Sequence, residues 1–108
     1  GVAKKIVAEV DEPESAKDSR LKQFVLRVVD ENGVTVPNFS SPVTVSIQGP
    51  GKILGLDNGN LNDPTPLRSH TRQPREGRLL AVVQTSPGAG KVTFEASAEG
   101  LAPVRVTW

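Results

Sequence analysis

The chain is written in short runs of alternating apolar and polar residues, separated by turn-forming residues. Val43, Val45 and Ile47 alternate with Thr44, Ser46 and Gln48, and Val92, Phe94, Ala96 and Ala98 alternate with Lys91, Thr93, Glu95 and Glu99. A two-residue period puts successive side chains on opposite faces, so both runs predict half-exposed strands. The run over residues 21–29 differs. Phe24, Leu26 and Val28 share one face, while Val25 and Val29 share the other with Arg27. A strand apolar on both faces is central or covered. Further strands are expected at residues 2–10, where the alternation is imperfect, at 52–56, at 77–85, and in the closing run Ala102, Val104, Val106 and Trp108. A short strand over Val34-Thr35-Val36 is expected to stop at Pro37.

The breaks carry their own information. Asp30-Glu31-Asn32-Gly33 reads as a tight hairpin, because Asn-Gly tolerates positive φ. Pro87-Gly88-Ala89-Gly90 and Glu99-Gly100 are turns, and residues 11–20 form a polar loop. Residues 57–76 show no period and contain Pro64, Pro66 and Pro74. Such a stretch inside a compact domain is functional, disordered or packed on something else. No segment predicts a helix. About seven to eight short strands bury their apolar faces most simply in an all-β, two-sheet antiparallel sandwich of immunoglobulin-like type. The expected organisation is a single domain over residues 1–108 with a long loop at 57–76.

Composition narrows the chemistry. A chain of 108 residues suits one domain and can bury a core without metal or disulfide staples. The absence of Cys excludes a disulfide, a thiolate nucleophile and a zinc-thiolate site, and it fits either redox compartment. Thirteen basic against twelve acidic residues leave a formal charge of +1, so no global field draws nucleic acid or an anionic membrane. No apolar run approaches the about 18–20 residues of a membrane-spanning helix. The opening Gly-Val-Ala-Lys-Lys-Ile lacks the apolar stretch of a signal peptide, which leaves room for a leader on a longer parent chain.

Candidate catalytic groups are few. Asp57 and Glu76 flank the long loop and are the one carboxylate pair worth weighing for acid/base work. The other acidic residues fall in turns or at exposed strand positions, where solvation accounts for them, so no catalytic residue is assigned. His70 is the sole histidine and follows Ser69, but neighbours in an extended loop point apart and do not make a dyad. A single His without Cys also argues against zinc. The oxygen-rich stretch from Asp57 to Asp63 suits a hard cation, yet Gly59 occupies a ligand position and no glutamate closes the loop. Plain turn chemistry explains the same residues, and no metal or cofactor is expected.

Arg68, His70, Arg72, Arg75 and Arg78 form a local basic cluster. The aromatics Phe24, Phe39, Phe94 and Trp108 supply neither stacking partners for nucleic acid nor a platform for a sugar ring. The cluster reads as an interface loop, since Arg is enriched at protein contacts, or as a solvated loop. The candidate interface or ligand residues are therefore Asp57, Asn58, Asn60, Arg68, His70, Arg72 and Arg75.

Four segments in order carry a wider resemblance: Val28-Val29-Asp30-Glu31-Asn32-Gly33; Gly49-Pro50-Gly51 and on to Gly59; residues 77–84; and residues 90–101 with Ala98-Glu99-Gly100-Leu101. Over residues 21–108 their spacing resembles the accessory domain near the C-terminus of bacterial family 2 glycoside hydrolases of the β-galactosidase type. The resemblance implies a non-catalytic β-sandwich placed after a catalytic barrel, with the other domains of the parent glycosidase as partners. It also implies a parent that hydrolyses terminal β-galactosides or related β-glycosides with retention. The family's acid/base and nucleophile glutamates belong to the barrel, so none carries over. Arg75-Glu76 stands where the family usually has an aromatic, and Asp18-Ser19-Arg20 where it usually reads Ala-Asp-Gly. Two other classes compete: a spacer immunoglobulin-like domain of a bacterial surface adhesin, and an independent carbohydrate-binding module.

Overall fold

The computed structural model describes residues 2–10, 21–59, 63, 69–85 and 90–107. Eight strands run through them: β1 (Lys5–Val10), β2 (Leu21–Val29), β3 (Val43–Gln48), β4 (Gly51–Asp57), β5 (Thr71–Arg72), β6 (Arg78–Thr85), β7 (Thr93–Ala98) and β8 (Val104–Thr107). They form two four-stranded sheets of order β1-β2-β6-β4 and β5-β3-β7-β8. All ladders between strands are antiparallel. The first sheet has the A-B-E-D order of an immunoglobulin constant-type sandwich, and β3, β7 and β8 take the places of C, F and G. β5 is an added edge strand beside β3.

The alternation seen in the sequence decides which side chains go inside. Phe24, Leu26 and Val28 of β2 and Leu79, Ala81 and Val83 of β6 project from the first sheet into the core, against Val43 and Val45 of β3 and Phe94 and Ala96 of β7. On β4, Ile53 and Leu56 are both buried although three positions apart. A bulge between Ile53 and Gly55 absorbs the extra residue and keeps both inward. Phe24 and Phe94 stack across the gap between the sheets. At one end the entering strand ties the layers together. The Ile6 amide donates to the Ala102 carbonyl, and the Ala102 amide to that of Lys4.

Three expectations change. The short strand at Val34-Thr35-Val36 shrinks to a bridge between Thr35 and Val29, because Pro37 ends any continuation. The turn at residues 30–33 does not use Asn32 at positive φ. Only Gly33 adopts it, with φ +80, while its amide donates to the Asp30 carbonyl. The Asp30 carboxylate fills the turn by accepting the amides of Asn32 and Val34. The region 57–76, read as an aperiodic loop, contains β5 and ends in a tight hairpin, while residues 60–62 and 64–68 within it lie outside the described residues. In that hairpin, Arg75 and Arg78 exchange backbone hydrogen bonds around Glu76 (φ +53) and Gly77 (φ +75). Two central residues at positive φ make this a type I′ turn. A Cβ at Gly77 would stand 2.6 Å from the Val36 carbonyl oxygen, so that position admits no side chain. The polar loop at residues 11–20, the turn residues 87–89 and Trp108 also lie outside the described residues.

Candidate functional site

The connection from β4 to β6 gathers most of the polar residues that the sequence singles out. At its start the Asp57 carboxylate accepts the Gly59 amide at 2.9 Å, closing a local turn. Asn58 donates from its amide nitrogen to Asp63 at 2.8 Å and to the Gln73 carbonyl at 2.9 Å. Asp63 in turn pairs with Arg72, Nη1 to Oδ2 at 2.9 Å. Arg72 also donates through Nε to the Leu56 carbonyl. Arg75 closes the set by donating to the Gly59 carbonyl at 2.8 Å.

Arg72 is the centre of this network. It sits on β5 in the second sheet, opposite Val43, and its side chain reaches the backbone of β4 in the first. Only 3% of it is exposed. A guanidinium keeps its charge when buried, so it needs a carboxylate and carbonyl oxygens around it. Asp63 and Leu56 supply them. The arrangement ties one sheet to the other and holds Asp63 against the sandwich.

The predicted basic cluster is thus divided. Arg72 is buried, whereas Arg75 and Arg78 are exposed. His70 is exposed, and its carbonyl accepts the Val45 amide at 2.8 Å. Ser69 does not turn to His70: its hydroxyl donates to the Thr71 carbonyl and accepts the Thr71 amide. Asn60 and Arg68 lie outside the described residues. The oxygens of Asp57 and Asp63, considered above for a cation, accept hydrogen bonds from protein donors, and the described residues hold no cluster of three or more His, Cys, Asp or Glu suited to a metal.

Three described carboxylates beyond this connection are likewise engaged. Glu9 pairs with Arg27 at 2.8 Å, and Glu95 pairs with Arg105. Asp30 is buried in its turn, and the Val34 amide holds its carboxyl below the usual carboxylate range, against the opposing effect of burial. The three phenylalanines are packed on or in the core. They leave no exposed aromatic platform among the described residues. From sequence Asp63 is weighed only as a cation ligand and is absent from the candidate interface residues, since its role depends on Arg72, to which no spacing rule connects it.

Beside the network lies an open recess of about 270 Å³, floored by Val25 and Leu80 and rimmed by Asp57, Asn58, Gly59 and Arg78. It belongs to the outer face of the first sheet, where Val25 stands opposite Leu80 and Leu80 opposite Asp57. The arrangement can receive an apolar side chain beside a polar edge.

Strand order, core and engaged polar residues define an immunoglobulin-like β-sandwich. The chain belongs to the family described as glycoside hydrolase family 2 C-terminal domain 5, whose model matches residues 6–107. The match takes in β1 and so extends further toward the N-terminus than the resemblance over residues 21–108. Among curated relatives, the β-galactosidase BoGH2A of Bacteroides ovatus is 34% identical over 76 residues, covering 70% of this chain and 9% of the relative. Among solved structures, a glycosyl hydrolase family 2 member from Bacteroides cellulosilyticus DSM 14838 superposes with a TM-score of 0.88 at 26% identity, over 99% of this chain and 15% of that one. A β-glycosidase from Bacteroides vulgatus shares the fold, with a TM-score of 0.86 at 19% identity, over 99% of this chain and 14% of that one. The chain therefore spans only a small part of the length of each of these relatives.

Proposed function

We propose that this chain is a non-catalytic, structural and interaction domain of a larger family 2 glycoside hydrolase that cleaves terminal β-galactosides or related β-glycosides. The observation that carries the reading is the 34% identity to a β-galactosidase over 70% of the chain, within a family model matching residues 6–107. The geometry supports the non-catalytic part. A retaining glycosidase needs two carboxyl groups about 5–5.5 Å apart across a cleft that takes a sugar ring. Among the described carboxylates, Asp30 and Asp57 instead close turns, and Glu9, Asp63 and Glu95 neutralise arginines. The network around Arg72 holds Asn58, Asp63 and β5 against the sandwich, which supports a structural part for these residues. The partners in this reading are the remaining domains of the parent polypeptide.

The test compares the purified chain with its full-length parent on nitrophenyl β-galactoside and nitrophenyl β-glucuronide. The chain alone is expected to leave both substrates intact, and the parent to hydrolyse the galactoside. Turnover by the chain alone overturns the non-catalytic assignment. A parent that prefers the glucuronide overturns the galactoside assignment and leaves the accessory role standing.

A further inference from the structure

The two outer faces of the sandwich differ in chemistry. On the second sheet the outward residues are Thr44, Ser46, Gln48, Thr93, Glu95 and Arg105, all polar. They are linked to one another and to their neighbours by the Thr44–Thr71 and Thr93–Thr107 hydroxyl pairs and the Glu95–Arg105 ion pair. Such a face is complete in water. On the first sheet the outward positions of β1, β2 and β6 include Val7, Val25, Leu80 and Val82, interspersed with Glu9, Gln23, Arg27 and Arg78; the four apolar residues are half-buried without another layer above them among the described residues. The register makes Val25 and Leu80 direct partners, with Val82 two residues along β6 opposite Gln23, and Val7 opposite Arg27. Antiparallel sheets that face water on one side keep that side polar. An apolar strip flanked by charge marks an interaction surface.

We propose that the outer face of the β1-β2-β6-β4 sheet is the surface on which this domain docks against a neighbouring domain of its own polypeptide, an inference that rests on the accessory-domain reading. The length of the relatives argues for an occupant from the same chain, since nearly the whole of this chain covers only 14% and 15% of two of them. Charge defines the partner's chemistry. Glu9 on this face is matched by Arg27, and Asp57 accepts the Gly59 amide. Lys5, Lys52 and Arg78 are exposed around the strip. The complementary surface thus presents an apolar side chain to the recess over Val25 and Leu80, with carboxylates at its margin.

The absence of Cys from this chain gives a direct test in the full-length parent. Arg78→Cys and Ser46→Cys place one thiol on each outer face, both at exposed positions. Maleimide labelling is followed by peptide mass mapping at each site over a range of protein concentrations. The expected result is labelling of Arg78→Cys at least ten-fold slower than that of Ser46→Cys at every concentration. Equal rates overturn the proposal, and so does protection of Ser46→Cys instead. Protection of Arg78→Cys that fades on dilution also overturns it, by making a second copy the occupant. Should Arg78→Cys fail to accumulate as folded protein, Lys52→Cys on the same sheet takes its place. The same preparations are assayed on nitrophenyl β-galactoside. Hydrolysis together with equal labelling removes the docking surface alone, whereas protection without hydrolysis of any nitrophenyl glycoside removes the glycosidase reading alone.

Discussion

Phe24 of β2 and Phe94 of β7 stack with ring centroids 4.5 Å apart and planes within 7° of parallel. They join the same two strands that antibody domains join with a disulfide, and both are fully buried. Two rings in contact exclude water from the middle of the core, where a cysteine pair would otherwise cross it. Phe94→Ala is expected to lower unfolding free energy by about 3–5 kcal/mol, through lost apolar burial and the cavity left behind. Phe94→Leu keeps most of the volume and should cost clearly less. Urea unfolding followed by far-ultraviolet circular dichroism checks the order of the two.

Removing one partner of the Arg72–Asp63 pair leaves the other charge poorly compensated in a buried setting. Arg72→Ala is expected to cost about 3–5 kcal/mol. Arg72→Lys should not restore it, because an ammonium cannot reproduce the fork that bonds Asp63 and the Leu56 carbonyl together. A double-mutant cycle of Arg72→Ala with Asp63→Ala should show strong coupling, and additive losses would refute the tie.

The Glu76-Gly77 turn holds two adjacent residues of opposite expected response. Glu76 is the one described non-glycine residue at positive φ, and nothing about its exposed side chain requires glutamate there. Glu76→Asn is expected to raise stability by up to about 1 kcal/mol, since Asn tolerates the left-handed region better. Gly77→Ala is expected to lose about 1–3 kcal/mol, because its Cβ would collide with the Val36 carbonyl oxygen. Thermal melts of the two variants should shift in opposite directions.

Asp30 links stability to acid. Its carboxyl is lowered from the ordinary 3.8 chiefly by the Val34 amide, so the folded state favours the ionised form. A depressed pKa contributes stability that is complete above the unfolded value and lost as pH falls through the folded one. The loss is therefore expected below the ordinary carboxylate value and to be absent near neutrality. Asp30→Asn should flatten this part of the acid limb, as measured by melting temperature from pH 5 downward. An unchanged limb would show that other carboxylates carry it.

Local patterning made much of the sandwich legible. The strand read at residues 21–29 coincides with β2, and its apolar second face correctly marks it as central, between β1 and β6. The alternation at Val43, Val45 and Ile47 correctly placed β3 and its buried side. β5 was not legible, because two residues carry no period and its position depends on Arg72 reaching β4 across the sandwich. The polar candidates were found by composition but their roles were not. Among the described residues, Asp63 joins Asn58 to Arg72, and Arg75 reaches back to Gly59. These are pairings between residues far apart in the chain, which turn chemistry at either end does not encode.

The short strand β5 also bears on the company this domain keeps. β3 would otherwise end its sheet with a row of unsatisfied amides and carbonyls, a template for another extended chain. Thr71 and Arg72 occupy the first part of that row, and the His70 carbonyl takes the Val45 amide. The buried ion pair that anchors β5 is therefore also a guard against strand addition. Its loss would show itself first in a concentrated solution, as self-association of folded molecules edge to edge.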